Sequence, residues 1–180
     1  MPWEKSMQRL FLALFLLLVC LDWQVAAADV SGEIFQVTGT TRCPVCGMFV
    51  AKHQQWQAQV RMTDGTTAAF DGVKDMMAYY FVPQDFGAKK DQAVEAVAVQ
   101  DYYSQTWTDG RTALYVLGGD VLGPMGHELI PFASRTGAEN FLKDHGGTKI
   151  LEFSQITPQL IAFLRQNHML QGQGMKAMKN

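Results

Sequence analysis

Two stretches of this chain, around residues 55–100 and 112–153, repeat one order of periodicities. In each, two alternating apolar segments precede a helical stripe, and a further alternating segment follows. In the first, residues 56–62 place Trp56, Ala58, Val60 and Met62 on one face, the period of a half-buried strand. Asp64-Gly65 is a hairpin signal and 66–70 the return strand. Asp71 stands where it can cap a helix over 73–81, whose Val73, Met76, Met77, Tyr80 and Phe81 share a stripe. Residues 93–99 alternate again. The second stretch runs through a strand at 113–117, the connection containing Gly118, Gly119, Gly123 and Gly126, and a strand at 128–133. Thr136 and Glu139 have capping-box spacing for a helix that stops at Gly146-Gly147, and 149–153 reads as a strand. Thr157-Pro158 opens a last helix bearing Leu160, Ile161 and Leu164. The expected class is α+β, two similar ββαβ halves plus a C-terminal helix. The halves share order rather than residues.

The N-terminus constrains where such a domain works. Lys5 and Arg9 precede an apolar run over 10–21, shorter than the ~20 residues of a membrane-spanning helix. The small-residue site Ala26-Ala27-Ala28 follows, so 1–28 reads as a signal peptide and the mature protein as periplasmic or secreted. In a lipoprotein reading Cys20 would be acylated and supply a lipid tether. Bulky Val19 before that cysteine favours plain cleavage. The expected organisation is then a lead-in over 29–42, a first half over 43–104, a second half with the last helix over 105–170, and a disordered tail over 171–180. Fifteen Lys and Arg against 17 Asp and Glu, a net charge of −2, leave no basic cluster for nucleic acid.

Chemistry concentrates at Cys43-Pro44-Val45-Cys46-Gly47-Met48. Two thiols and a thioether in six residues suit a soft ion such as Cu(I), whereas zinc makes little use of a thioether. Outside the cytoplasm such a pair could also be a structural disulfide, although a loop this small restrains the unfolded chain only weakly. Dithiol redox catalysis is the third reading. It needs a helix N-terminus behind the first cysteine to lower its pKa, and 47–50 heads towards a strand. A second soft donor is Met125, in Gly123-Pro124-Met125-Gly126, a turn with little around it to bury the side chain. His53 and His127 could add nitrogen ligands, and His145 suits a helix end. Asp101-Tyr102-Tyr103-Ser104 with Trp107 and Asp109 forms a polar–aromatic cluster between the halves, fit for an internal interface or a partner surface. No hydrolytic triad, phosphate-cradling loop or paired carboxylates stand out.

With these residues in view the chain resembles the NosL family, accessory proteins of nitrous oxide reductase maturation. The resemblance rests on Cys43 to Met48, on Phe70-Asp71-Gly72-Val73-Lys74-Asp75-Met76-Met77, and on Asp101 to Ser104. It continues through Gly123 to Gly126, Glu128-Leu129-Ile130-Pro131-Phe132 and His145-Gly146-Gly147. It covers about residues 40–165. It implies two ββαβ halves, also likened to the organomercurial lyase MerB, together with Cu(I) binding and copper delivery in the periplasm. The expected reading is a non-enzymatic Cu(I) carrier whose ligands are drawn from Cys43, Cys46, Met48 and Met125. Its partner would be a copper-receiving metalloenzyme, nitrous oxide reductase or its assembly machinery. A thiol–disulfide oxidoreductase using Cys43 and Cys46 is the alternative.

Overall fold

A computed structural model describes residues 34–166; the leader, Cys20 and the tail lie outside the described residues. Strands β1 (Ala58–Met62), β2 (Thr67–Phe70), β3 (Val94–Gln100) and β4 (Trp107–Asp109) form one antiparallel sheet in the order β2-β1-β3-β4. Strands β5 (Leu114–Leu117), β6 (Leu129–Phe132) and β7 (Lys149–Glu152) form a second in the order β6-β5-β7. In both sheets the first strand is central and pairs antiparallel with its hairpin partner and with the strand after the helix. Helix α1 (Val73–Phe81) joins β2 to β3, α2 (Arg135–His145) joins β6 to β7, and α3 (Pro158–Gln166) follows. The α+β class and the repeated ββαβ order are therefore those of the sequence reading. Short β4 is an addition: three residues carry too little alternation to reveal a strand. Among the described residues no helix is long and apolar enough to cross a membrane.

The second sheet is buried on both faces, and strand periodicity explains how. Tyr115, Leu117, Leu129 and Leu151 point into the main core with α1, α3 and the first sheet. Their neighbours Val116 and Ile130, with Phe132, point the other way onto Ala138 and Phe141 of α2. Both sets are apolar, so 129–132 reads as a continuous hydrophobic run rather than an alternation. In the first sheet Ala58, Val60 and Met62 face the core. On the opposite face of β1, buried Gln59 donates to the Phe35 carbonyl and accepts from its N–H, both at 2.8 Å. That contact docks the lead-in.

Two expected caps are displaced. Gly72, not Asp71, is the N-cap of α1, because the Asp71 carboxylate is engaged elsewhere. Ser134, not Thr136, caps α2, its hydroxyl accepting from the Gly137 N–H. Here the backbone leaves its extended conformation two residues earlier than the Thr136 box implies. Thr157 does cap α3, accepting from the Leu160 N–H at 3.2 Å. The cluster at 101–109 lies between the halves. Asp101 Oδ1 accepts from Tyr103, Ser104 and the Ser104 hydroxyl, while its Oδ2 accepts from the Ala133 N–H at 2.8 Å. Tyr102 packs against Trp56, Phe132 and Phe141.

Candidate metal centre

The cysteine loop is closed by its own backbone. The Cys43 N–H donates to the Met48 carbonyl and the Gly47 N–H to the Cys43 carbonyl, both at 2.9 Å. Gly47 takes the left-handed conformation (φ 78°) that lets the chain return. Arg42 clamps the neck, donating to the Gly47 carbonyl at 2.8 Å with its guanidinium 3.9 Å from the Phe49 ring centre. No α-helix follows, and neither does the expected strand. Two 3₁₀ turns, Val50–Lys52 and Gln54–Trp56, intervene before β1. The cysteine pair therefore does not itself open a helix.

Cys43 is buried and Cys46 half-buried, and both are free thiols. The start of α1 supplies each with a carboxylate. Cys46 Sγ donates to Asp71 Oδ1 at 3.2 Å, and Cys43 Sγ lies 3.7 Å from Asp75 Oδ2. One donor atom from each of Cys43, Cys46, Asp71 and Asp75 falls within 4.8 Å of all the others. Asp71 is 1 % exposed, and its Oδ2 is buried with no hydrogen-bond partner. The Cys46 thiol is pushed well above the usual cysteine range, first by its hydrogen bond with Cys43, then by burial and by Asp71. The Met48 N–H opposes this only in part. At neutral pH Cys46 is therefore a protonated thiol.

Met125 reaches the same place from the second half. Gly123 and Gly126 exchange backbone hydrogen bonds of 2.8 and 3.1 Å, leaving Pro124-Met125 as a two-residue tip with Pro where its fixed φ suits a turn. Met125 and Cys46 then line one open cleft of about 480 Å³, with Val45, Lys74, Asp75 and Arg165. Arg165 Nε stands 3.7 Å from Asp75 Oδ1. Met48 is half-buried and meets the cysteines through its backbone. His53 lines a separate cleft with Trp56 and Gln105. His127 offers its carbonyl to Lys74, and His145 pairs with Asp120 at 2.9 Å.

Beneath the Met125 turn sits Glu128, buried, with Oε1 accepting from the N–H groups of Lys74 (2.5 Å) and Leu129 (2.9 Å). Burial outweighs these bonds and the nearby Lys74 charge, and pushes its carboxyl up to about 7. The unfolded carboxyl titrates near 4.5. Stability from this group is thus fully present below about 4.5 and is lost as pH rises to about 7, up to ~3 kcal/mol. Glu128→Gln, which keeps the acceptor and the volume, is expected to flatten that slope. Urea denaturation at about pH 5 and about pH 8 checks it, and equal slopes in both proteins would contradict it.

The carboxylates and Lys74 were within reach of the sequence. Asp71, Lys74 and Asp75 are charges set among Phe70, Val73, Met76 and Met77, and all three are buried. Three charges inside an apolar window mark a polar cluster rather than a solvated face.

The sequence matches the NosL family over residues 34–161. No curated protein matches it. The fold is similar to the crystal structure of the copper chaperone NosL from Shewanella denitrificans (TM-score 0.59, 21% identity), covering 71% of this chain and 98% of that one. It also matches the solution structure of the apo-NosL protein from Achromobacter cycloclastes (TM-score 0.44, 25% identity), covering 58% and 87%. The family match spans well over half of the sequence and includes the cysteine loop, the start of α1 and the Met125 turn, and this chain belongs to the NosL family.

Proposed function

We propose that this protein binds Cu(I) through Cys43 and Cys46 with Met125 as a further sulfur donor, and passes the ion to a copper-receiving metalloenzyme. Nitrous oxide reductase or its assembly machinery is the proposed recipient and the periplasm the proposed compartment, reached through the leader over 1–28. Family membership and the copper chaperone from Shewanella denitrificans support the reading. One observation carries it: Cys46 and Met125, from opposite halves, line one cleft beside the buried Cys43. Thiolates and a thioether form a soft donor set matched to Cu(I). Met48, next to the pair in sequence, is the remaining candidate donor. An open cleft leaves room for a recipient's ligand to enter before the carrier's sulfurs let go.

Dithiol catalysis is the weaker reading, because its active site opens a helix and here the cysteine pair runs into two 3₁₀ turns. Competition of the reduced protein with a Cu(I) chelator tests the proposal, alongside an insulin-reduction assay. Tight one-to-one binding without reductase activity is the expected result. Binding no tighter than that of a small dithiol, with reductase activity, would overturn it.

Copper must displace the thiol protons, so affinity should fall with falling pH, by about tenfold per unit for each proton released. Titrations between about pH 8 and about pH 6 measure this, and a flat profile would mean that no protonated thiol is a ligand.

A further inference from the structure

We propose that Lys74 is a positioning residue that holds the Met125 turn against the cysteine pair. The inference rests on the reading of Met125 as a copper donor and goes beyond it by naming what places that donor. Lys74 is 2 % exposed. An ammonium so enclosed is costly unless its donors are taken, and two of them are. Nζ donates to the Met125 carbonyl at 2.7 Å and to the His127 carbonyl at 2.9 Å. The first acceptor lies on the Pro124-Met125 tip itself and the second on its return limb. The side chain therefore grips the residue whose sulfur is needed, by its own backbone.

The grip has a fixed base. Lys74 lies in the first turn of α1, between Asp71 and Asp75, which meet Cys46 and Cys43. Its own N–H is bound by Glu128 from the far side of the turn. Close approach is possible because Gly72 and Gly123 bring no Cβ: one at 72 would collide with the Glu128 carboxylate, and one at 123 would lie 3.2 Å from Glu128 Cβ and Cγ. Five consecutive residues, 71–75, thus touch both thiols and the methionine turn. Met125 lies on a Gly-flanked tip whose only internal backbone bonds join Gly123 and Gly126. The ties from Lys74 fix where that tip sits.

A merely structural Lys74 would lower stability and copper affinity without regard to Met125. A positioning role makes its effect depend on the methionine. Competition titrations with Cu(I) on wild type, Lys74→Met, Met125→Ala and the double variant separate the two. Lys74→Met keeps the length but donates nothing, and is expected to weaken binding by about 10- to 100-fold, as loss of an outer support does. In the Met125→Ala background the same change should cost nothing further. X-ray absorption on Cu(I)-loaded Lys74→Met should show the sulfur shell of Met125→Ala, and Lys74→Arg should restore part of the loss. An equal loss in both backgrounds, or none in wild type, overturns the positioning role. Met125→Ala binding like wild type overturns the donor reading on which it stands. If Lys74→Met does not fold, the cycle is run with Lys74→Leu, which likewise donates nothing, and the same two results decide.

Discussion

Cys46→Ser is expected to weaken Cu(I) binding by roughly a thousandfold, ~4 kcal/mol, and to leave the fold intact. Serine offers a hard oxygen in place of a soft thiolate. The hydroxyl can still donate to Asp71, and Cys46 is only half-buried, so stability should change by less than about 1 kcal/mol. Cys43→Ser should lose comparable affinity and also stability, because its side chain is 1 % exposed within the core. Chelator competition with urea denaturation on the same samples separates the two effects. A Cys46→Ser protein that binds within a few-fold of wild type would remove this thiol from the ligand set.

Gly72→Ala should damage fold and site together. The backbone is no obstacle, since φ at Gly72 is −178°, an extended conformation open to any residue. The obstacle is Glu128, whose carboxylate occupies the place of the new methyl group. That carboxylate is bound by the Lys74 and Leu129 N–H groups, and Gly123 closes its other side. It has nowhere to move without breaking bonds. Overpacking costs 1–3 kcal/mol and a lost buried hydrogen bond about 1 more, so a loss of about 3 kcal/mol is expected. Because Glu128 and Lys74 support the Met125 turn, copper affinity should fall as well. Denaturation of the variant checks the first, and a change under about 0.5 kcal/mol, the size of a surface substitution, would show that the carboxylate is not confined.

What was legible in advance follows from the range of the interactions. Helix α1 could be placed at 73–81 because its start, stripe and end are local signals, and the Asp64-Gly65 hairpin likewise. The sheet pairings and the two-faced burial of β5, β6 and β7 were not, since Ile130 and Leu151 look alike in sequence and only topology separates them. Asp71 illustrates the limit at the site. Its position before a helix suggests a cap, yet its partner is Cys46, 25 residues earlier. The pairing of Cys46 with Met125 came from residue type alone; the cleft that both line, the ties of Lys74 to the Met125 turn and that of Glu128 to Lys74 are tertiary contacts. Buried charge in an apolar window was the one local hint of that support.

The central claim is a soft site split between the two halves of the fold. Cu X-ray absorption on the Cu(I)-loaded reduced protein, wild type beside Met125→Ala, tests it most directly. A first shell of sulfur alone is expected in wild type, and one sulfur fewer in Met125→Ala. A shell containing oxygen or nitrogen, or one unchanged by the substitution, would contradict it.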